Sequence, residues 1–321
     1  MQIDSTMSDG LGGVSRSKLA CGPSPERGNV VHILADPGNA SQTLLILHAA
    51  GMHGRSYTKL AEHISVECND SVRILAPDLR AHGDSSTGPE TSFTWETVAD
   101  DITALIMSRG LKGKIIGIGH SLGGASAMIA EMKNPGLFKG LWCYEPVLFS
   151  NVEVAAAITK TFGRSKFRRS TFGSYNEAIE NFSTKPTFKN LHSQCLRDYV
   201  THGFRHTSRG IELKCHPESE AHVYLEGKRI VGNDKIMRGT ACSTVVACGS
   251  HVGPENALSR EIDRLVRLLQ KGRGERYGFL LHFGLLEDPA FVAKRIAYFI
   301  LNESETGLHA PQYLHFACPK L

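Results

Sequence analysis

The chain has 321 residues, 41% hydrophobic and 21% charged, with a formal net charge of +4. That length suits one large α/β domain carrying an insertion, and the composition suits a globular protein with a sizeable core. A small net charge argues against the concentrated basic face of a nucleic-acid binder, and no apolar run is long enough to span a bilayer.

Residues 1–28, punctuated by Gly-Leu-Gly-Gly and Gly-Pro-Ser-Pro, read as a flexible N-terminal arm without the apolar core of a secretory signal. Buried-strand patterns follow at Thr43–His48, Val72–Ala76, Lys114–Gly119 and Gly140–Tyr144, and later at Thr244–Cys248 and Tyr277–Leu281. Between them, amphipathic helical patterns occupy residues 94–108, 122–133, 257–270 and 288–301. Continuous apolar strands alternating with helices predict a mostly parallel central sheet covered on both faces. Residues 147–240 break the rhythm, so the expected organisation is a core of 29–146 and 241–321 with a helical lid inserted at 147–240. Eight scattered cysteines contain no CxxC pair, which predicts reduced thiols and no metal site; with no secretory signal an intracellular protein is expected, and no cofactor is expected either.

The chemistry concentrates at Gly119-His120-Ser121-Leu122-Gly123, a G-x-S-x-G between a predicted strand and a predicted helix. A serine there sits on a tight, strained turn, and the helix behind it aims its N-terminal N–H groups at a developing oxyanion. Without the flanking elements this would be a fortuitous glycine turn.

On these residues the chain resembles the α/β-hydrolase family over roughly 43–148 and 240–302. Leu47-His48-Ala49-Ala50-Gly51 resembles the family's oxyanion loop, with Ala49 in place of a glycine, and implies the Ala50 and Leu122 N–H groups as oxyanion donors. Pro77–Ser85 resembles a structural loop of the family, so Asp78 and Arg80 are assigned no chemistry, and His48 is read as a residue that ties its loop down. Leu281-His282-Phe283-Gly284 resembles the catalytic-histidine loop and implies His282 as general base, with His120 and His251 as rivals. No carboxylate stands in Gly249-Ser250-His251-Val252-Gly253, the commoner place for the acid. Glu145, Asp234 and Glu255 remain, and Glu145, after an apolar strand, is preferred.

The position of Glu145, with Leu213–Ala221, is similar to fungal acyl-CoA hydrolases of polyketide and toxin pathways, including the mycophenolic-acid hydrolase group. That resemblance implies a serine hydrolase acting on a small-molecule acyl ester or CoA thioester in secondary metabolism. An acyltransferase sharing the triad and a non-catalytic ligand-binding protein are the alternatives. Lys160, Arg164, Arg168 and Arg169 are candidate contacts for CoA phosphates, against an ordinary solvated charged surface. The ending Pro319-Lys320-Leu321 is a variant of the peroxisomal address, which implies an import receptor as partner and a peroxisomal rather than cytoplasmic location.

Overall fold

A computed structural model describes residues 18–20, 29–85, 93–148, 150, 156, 163–227, 232–249, 257–302 and 313–316. Its strands are β1 (Lys18–Ala20), β2 (Val30–Ala35), β3 (Gln42–Leu47), β4 (Val72–Pro77), β5 (Ile115–His120), β6 (Gly140–Tyr144), β7 (Thr171–Phe172), β8 (Phe204–Thr207), β9 (Gly210–Leu213), β10 (Ser243–Cys248), β11 (Gly272–Tyr277) and β12 (Tyr313–Phe316). Nine form one sheet in the order β1-β2-β4-β3-β5-β6-β10-β11-β12. β1 pairs antiparallel with β2, and β2 antiparallel with β4; every other neighbouring pair is parallel. Residues 18–20, read from sequence as loose arm, thus extend the sheet edge.

The period of two along a strand assigns the core. In β3, Leu44 and Ile46 face one apolar layer, with Leu60 and Ile64 of helix Thr58–Glu67 and Val292 and Ile296 of helix Pro289–Asn302. Leu45 and Leu47 face the other, with Val98 and Ile102 of helix Trp95–Ser108, Met128 of helix Leu122–Lys133, and Ile262 and Leu265 of helix Ala257–Leu268. All four β3 side chains are fully buried, each contributing about 2 kcal/mol by transfer from water. Two-sided burial is why these strands read as continuous apolar runs.

The expected strand at Tyr277–Leu281 is corrected to Gly272–Tyr277, one strand length earlier. Gly-Arg-Gly-Glu-Arg looks like surface, yet Glu275 is fully buried. Its carboxylate accepts from Arg273 and Arg295, each at 3.1 Å, and from the Tyr277 hydroxyl. A compensated buried charge hides a core strand from any hydrophobic pattern. The insertion between β6 and β10 is not purely helical either. Helices Tyr175–Ser183, Ser193–Gly203, Pro217–Glu226 and Lys235–Gly239 are joined by a small antiparallel sheet, β7-β9-β8. Its strands of two to four residues are too short for alternation to be legible. No helix among the described residues is long and apolar enough to cross a membrane.

Candidate active site

β5 and β6 are adjacent parallel strands, and the register pairs His120 with Tyr144. The residues that follow, Ser121 and Glu145, therefore leave the carboxyl edge of the sheet side by side. Both have left-handed backbones, with φ of 52° at Ser121 and 44° at Glu145. Such non-glycine conformations cost about 1–3 kcal/mol and persist where the surroundings enforce them. At Ser121 the enforcement is close packing. A Cβ on Gly119 would lie 2.4 Å from Gly124 Cα, and one on Gly123 would lie 2.2 Å from the Leu47 carbonyl oxygen. Glycine at both positions lets helix Leu122–Lys133 sit against β5 and the end of β3. The Ser121 N–H donates to the Tyr144 carbonyl at 2.9 Å, locking the turn to β6.

Glu145 is buried, and both carboxylate oxygens are engaged. Oε1 accepts the Gly249 N–H at 2.9 Å, and Oε2 lies 2.6 Å from His282 Nδ1. The Glu145 N–H is itself held by the Ala247 carbonyl at 2.8 Å. This assigns the Nδ1 proton of His282 to the carboxylate and leaves Nε2 to exchange a proton with a hydroxyl. The loop carrying His282 is fixed from below, where the Tyr144 hydroxyl donates to the Leu281 carbonyl at 2.6 Å. His282 stands 5.1 Å, ring centroid to ring centroid, from His120, the residue preceding Ser121. Of the other acid candidates, Asp234 is paired with Arg264, and Glu255 lies outside the described residues, as does the rival base His251.

The oxyanion loop follows β3. The Ala49 N–H donates to the Tyr57 hydroxyl at 3.2 Å and the Gly51 N–H to His82 Nε2 at 3.0 Å. Between them the Ala50 N–H has no protein acceptor among the described residues, and the Leu122 N–H opens a helix whose N-cap, Ser121, makes no side-chain cap bond. Positive φ falls on Gly51 (76°) and not on Ala49, so the alanine in place of the family's glycine is accommodated without strain. His48 is buried, donating from Nδ1 to the Ala49 carbonyl and accepting the Leu79 N–H at Nε2, both at 2.8 Å. Burial drives its pKa down, with His82 adding to the effect, so it braces the loop as a neutral group.

The Pro77–Ser85 loop is structural in its contacts. Asp78 accepts from the Gly54 and Asp84 N–H groups at 2.8 and 2.7 Å, and Arg80 forms a buried bidentate pair with Asp101. His32, Asp78 and Asp84 share metal-ligand spacing, but each is bound to protein. His32 accepts from Arg55, Asp78 holds His32, and Asp84 pairs with Lys214.

The insertion's cations do not form one patch. Arg168 turns inward, donating to Glu220 and to the Tyr199 hydroxyl, each at 2.6 Å. Glu220 in turn lies against the oxyanion loop, where a Cβ on Gly51 would meet its Oε1 at 2.6 Å. Arg169 covers the Phe172 ring at 4.2 Å and pairs with exposed Glu177. Arg164 and Lys166 are exposed on the turn Gly163–Phe167, while Lys160 lies outside the described residues.

A doubly wound sheet, a strained serine at a strand-to-helix elbow and a histidine–carboxylate pair beside it define a hydrolase of the α/β class. The family model for the Alpha/beta hydrolase family matches residues 44–295, and the chain belongs to that family. It is 31% identical over 155 residues to a protein phosphatase methylesterase 1 of Debaryomyces hansenii, covering 45% of this chain and 39% of that protein. The homologous protein of Schizosaccharomyces pombe is 32% identical over 158 residues, covering 48% and 46%. The chain thus spans less than half the length of these relatives. Similar solved structures include an E-2-(acetamidomethylene)succinate hydrolase, with TM-score 0.71 at 18% identity over 86% of this chain and 96% of that one. The peroxisomal α/β-hydrolase of Saccharomyces cerevisiae is similar with TM-score 0.70 at 18% identity, covering 92% and 90%. At such identities the structures share the fold.

Proposed function

We propose that the protein is a serine hydrolase of acyl esters or thioesters. Ser121 Oγ forms a bond to the acyl carbon while its proton passes to His282 Nε2, and the oxyanion rests on the Ala50 and Leu122 N–H groups. The bond to the leaving oxygen or sulfur then breaks and the leaving group takes the proton from His282. Water, deprotonated by the same nitrogen, attacks the acyl-enzyme, releasing the carboxylic acid and regenerating Ser121. Glu145 orients His282 and stabilises its imidazolium. The observation that carries this reading is the 2.6 Å Glu145–His282 contact, with the second carboxylate oxygen taken by Gly249. Hydrolysis of p-nitrophenyl acetate tests it, with loss of turnover in Ser121→Ala expected. Ser121-independent hydrolysis would reject it, and appearance of the acyl group on an added alcohol or amine instead of as free acid would reassign the protein as an acyltransferase.

The finer reading, an acyl-CoA hydrolase of secondary metabolism, rests on the family resemblance and on Arg164 and Lys166, exposed on a turn packed against helix Pro217–Glu226. Charge reversal at these two residues is expected to raise KM for an acyl-CoA and leave KM for an uncharged ester unchanged; an equal effect on both would leave them ordinary surface. Peroxisomal import through Pro319-Lys320-Leu321 stands on sequence, because these residues lie outside those described. A fluorescent fusion with that free end is expected in peroxisomes, and in the cytosol once the tripeptide is deleted.

A further inference from the structure

The proposed triad and oxyanion hole draw on four strand ends, after β3, β5, β6 and β11, and a buried chain of hydrogen bonds joins three of them, those carrying Ala50, Ser121 and His282. The Ala49 N–H donates to Tyr57 Oη at 3.2 Å. Tyr57 Oη lies 2.7 Å from His120 Nδ1, and His120 Nε2 lies 2.7 Å from the His282 carbonyl oxygen. The directions follow by elimination. A carbonyl only accepts, so His120 Nε2 carries the proton; a neutral imidazole then accepts at Nδ1, so the Tyr57 hydroxyl donates to it and has its oxygen available for Ala49. Tyr57 and His120 are both fully buried. Burial, with His282 next in effect, pushes the His120 pKa down to about 3, so the imidazole stays neutral at physiological pH and the order of donors is fixed.

Each joint falls next to a reacting group. Ala49 precedes the oxyanion donor Ala50, His120 precedes the nucleophile Ser121, and the last acceptor is the backbone of His282 itself. We propose that Tyr57 and His120 are positioning residues that set the oxyanion loop, the nucleophile elbow and the base loop in register with one another. The proposal rests on the serine-hydrolase reading. Both side chains are fully buried with their polar atoms engaged by protein, so their effect is on the relative placement of the Ala50 N–H, Ser121 Oγ and His282 Nε2. Misplacement by a fraction of an ångström weakens interactions made in the transition state more than those made in the bound ground state. The loss therefore belongs in kcat.

Tyr57→Phe keeps the ring and deletes the hydroxyl that serves both neighbours. His120→Gln keeps an N–H donor at the Nε2 position facing the His282 carbonyl but puts no acceptor at the Nδ1 position that Tyr57 meets, whereas His120→Leu loses both joints. The experiment is steady-state hydrolysis of p-nitrophenyl acetate by wild type, Ser121→Ala, Tyr57→Phe, His120→Gln, His120→Leu and the Tyr57→Phe/His120→Leu double variant, with thermal unfolding of each. The expected result is on the order of a tenfold fall in kcat for Tyr57→Phe at unchanged KM, below the loss typical of removing an oxyanion donor itself. His120→Gln should fall about as far as Tyr57→Phe, His120→Leu further, and the double variant no further than His120→Leu, because the two residues act in series. If His120→Leu does not fold, Tyr57→Phe and His120→Gln decide. Wild-type kcat in folded Tyr57→Phe, or a loss confined to KM, overturns the proposal while leaving the hydrolase reading intact. Hydrolysis that survives Ser121→Ala overturns both.

Discussion

Replacing Glu145 by Gln removes one charge and little volume. The Gly249 N–H can still donate to the amide oxygen, so the turn survives, but the imidazolium formed on His282 loses its counter-charge. At 2.6 Å and an effective dielectric constant of about 20, the pair is worth roughly 6 kcal/mol in the transition state. His282 is 29% exposed on its side chain, and solvent screening reduces that figure. At about 1.4 kcal/mol per decade, the expected fall in kcat is on the order of 10³–10⁴-fold. The assay is p-nitrophenyl acetate hydrolysis by folded Glu145→Gln and by Asp234→Asn, whose carboxylate serves Arg264 and whose loss should leave kcat within about twofold of wild type. A Glu145→Gln enzyme within tenfold of wild type refutes the assignment, and a large loss in Glu255→Gln would move the acid to the commoner position.

Three further outcomes follow from the packing and the charges. Gly123→Ala drives a Cβ to 2.2 Å from the Leu47 carbonyl oxygen, so either the elbow or the oxyanion loop must move; a loss of about 3 kcal/mol in urea unfolding and near-complete loss of turnover are expected. Arg168→Met strands Glu220, which is 6% exposed on its side chain, and should cost about 3 kcal/mol, whereas Arg169→Ala, in an exposed pair, should cost under about 1 kcal/mol by thermal unfolding. His53 and His120 have pKa values lowered by burial to about 4 and about 3, and His48 is lowered too. In the unfolded chain they titrate near 6.5, so the unfolded state takes up more protons below that pH. Their contribution is complete above about pH 6.5 and is lost as pH falls towards 4, each group adding a slope approaching about 1.4 kcal/mol per pH unit; equal urea midpoints at pH 7 and pH 5 would contradict it.

The parts of this fold that were legible in sequence are those whose environment is simple. β3, β5, β6 and β10 lie between two apolar layers, so their own composition reports burial, and the elbow was legible because Gly119, Ser121 and Gly123 meet steric demands that few other residues satisfy. β11 was misplaced because its central residue is Glu275, buried through partners on another helix as well as its own strand. The antiparallel sheet of the insertion was missed because its strands are only two to four residues long and bury Phe172 and Phe204 against Phe182 of a neighbouring helix rather than through a pattern of their own. At the site, Ser121, Glu145 and His282 were each named, and the structure brings Glu145 and His282 into contact. The inward turn of Arg168 was invisible, since a basic run looks the same whether it faces solvent or a buried glutamate. Tyr57 carried no signal at all: its importance is the 2.7 Å contact with His120, a residue whose two ring nitrogens are taken up away from the nucleophile.

The most direct test of the central claim is covalent trapping with a fluorophosphonate, read by peptide mass spectrometry alongside ester hydrolysis. A single adduct on Ser121 is predicted, forming in proportion to the loss of hydrolysis and absent in His282→Ala over the same time. Full hydrolysis with Ser121 unmodified, or inactivation through an adduct on another residue, would contradict the account.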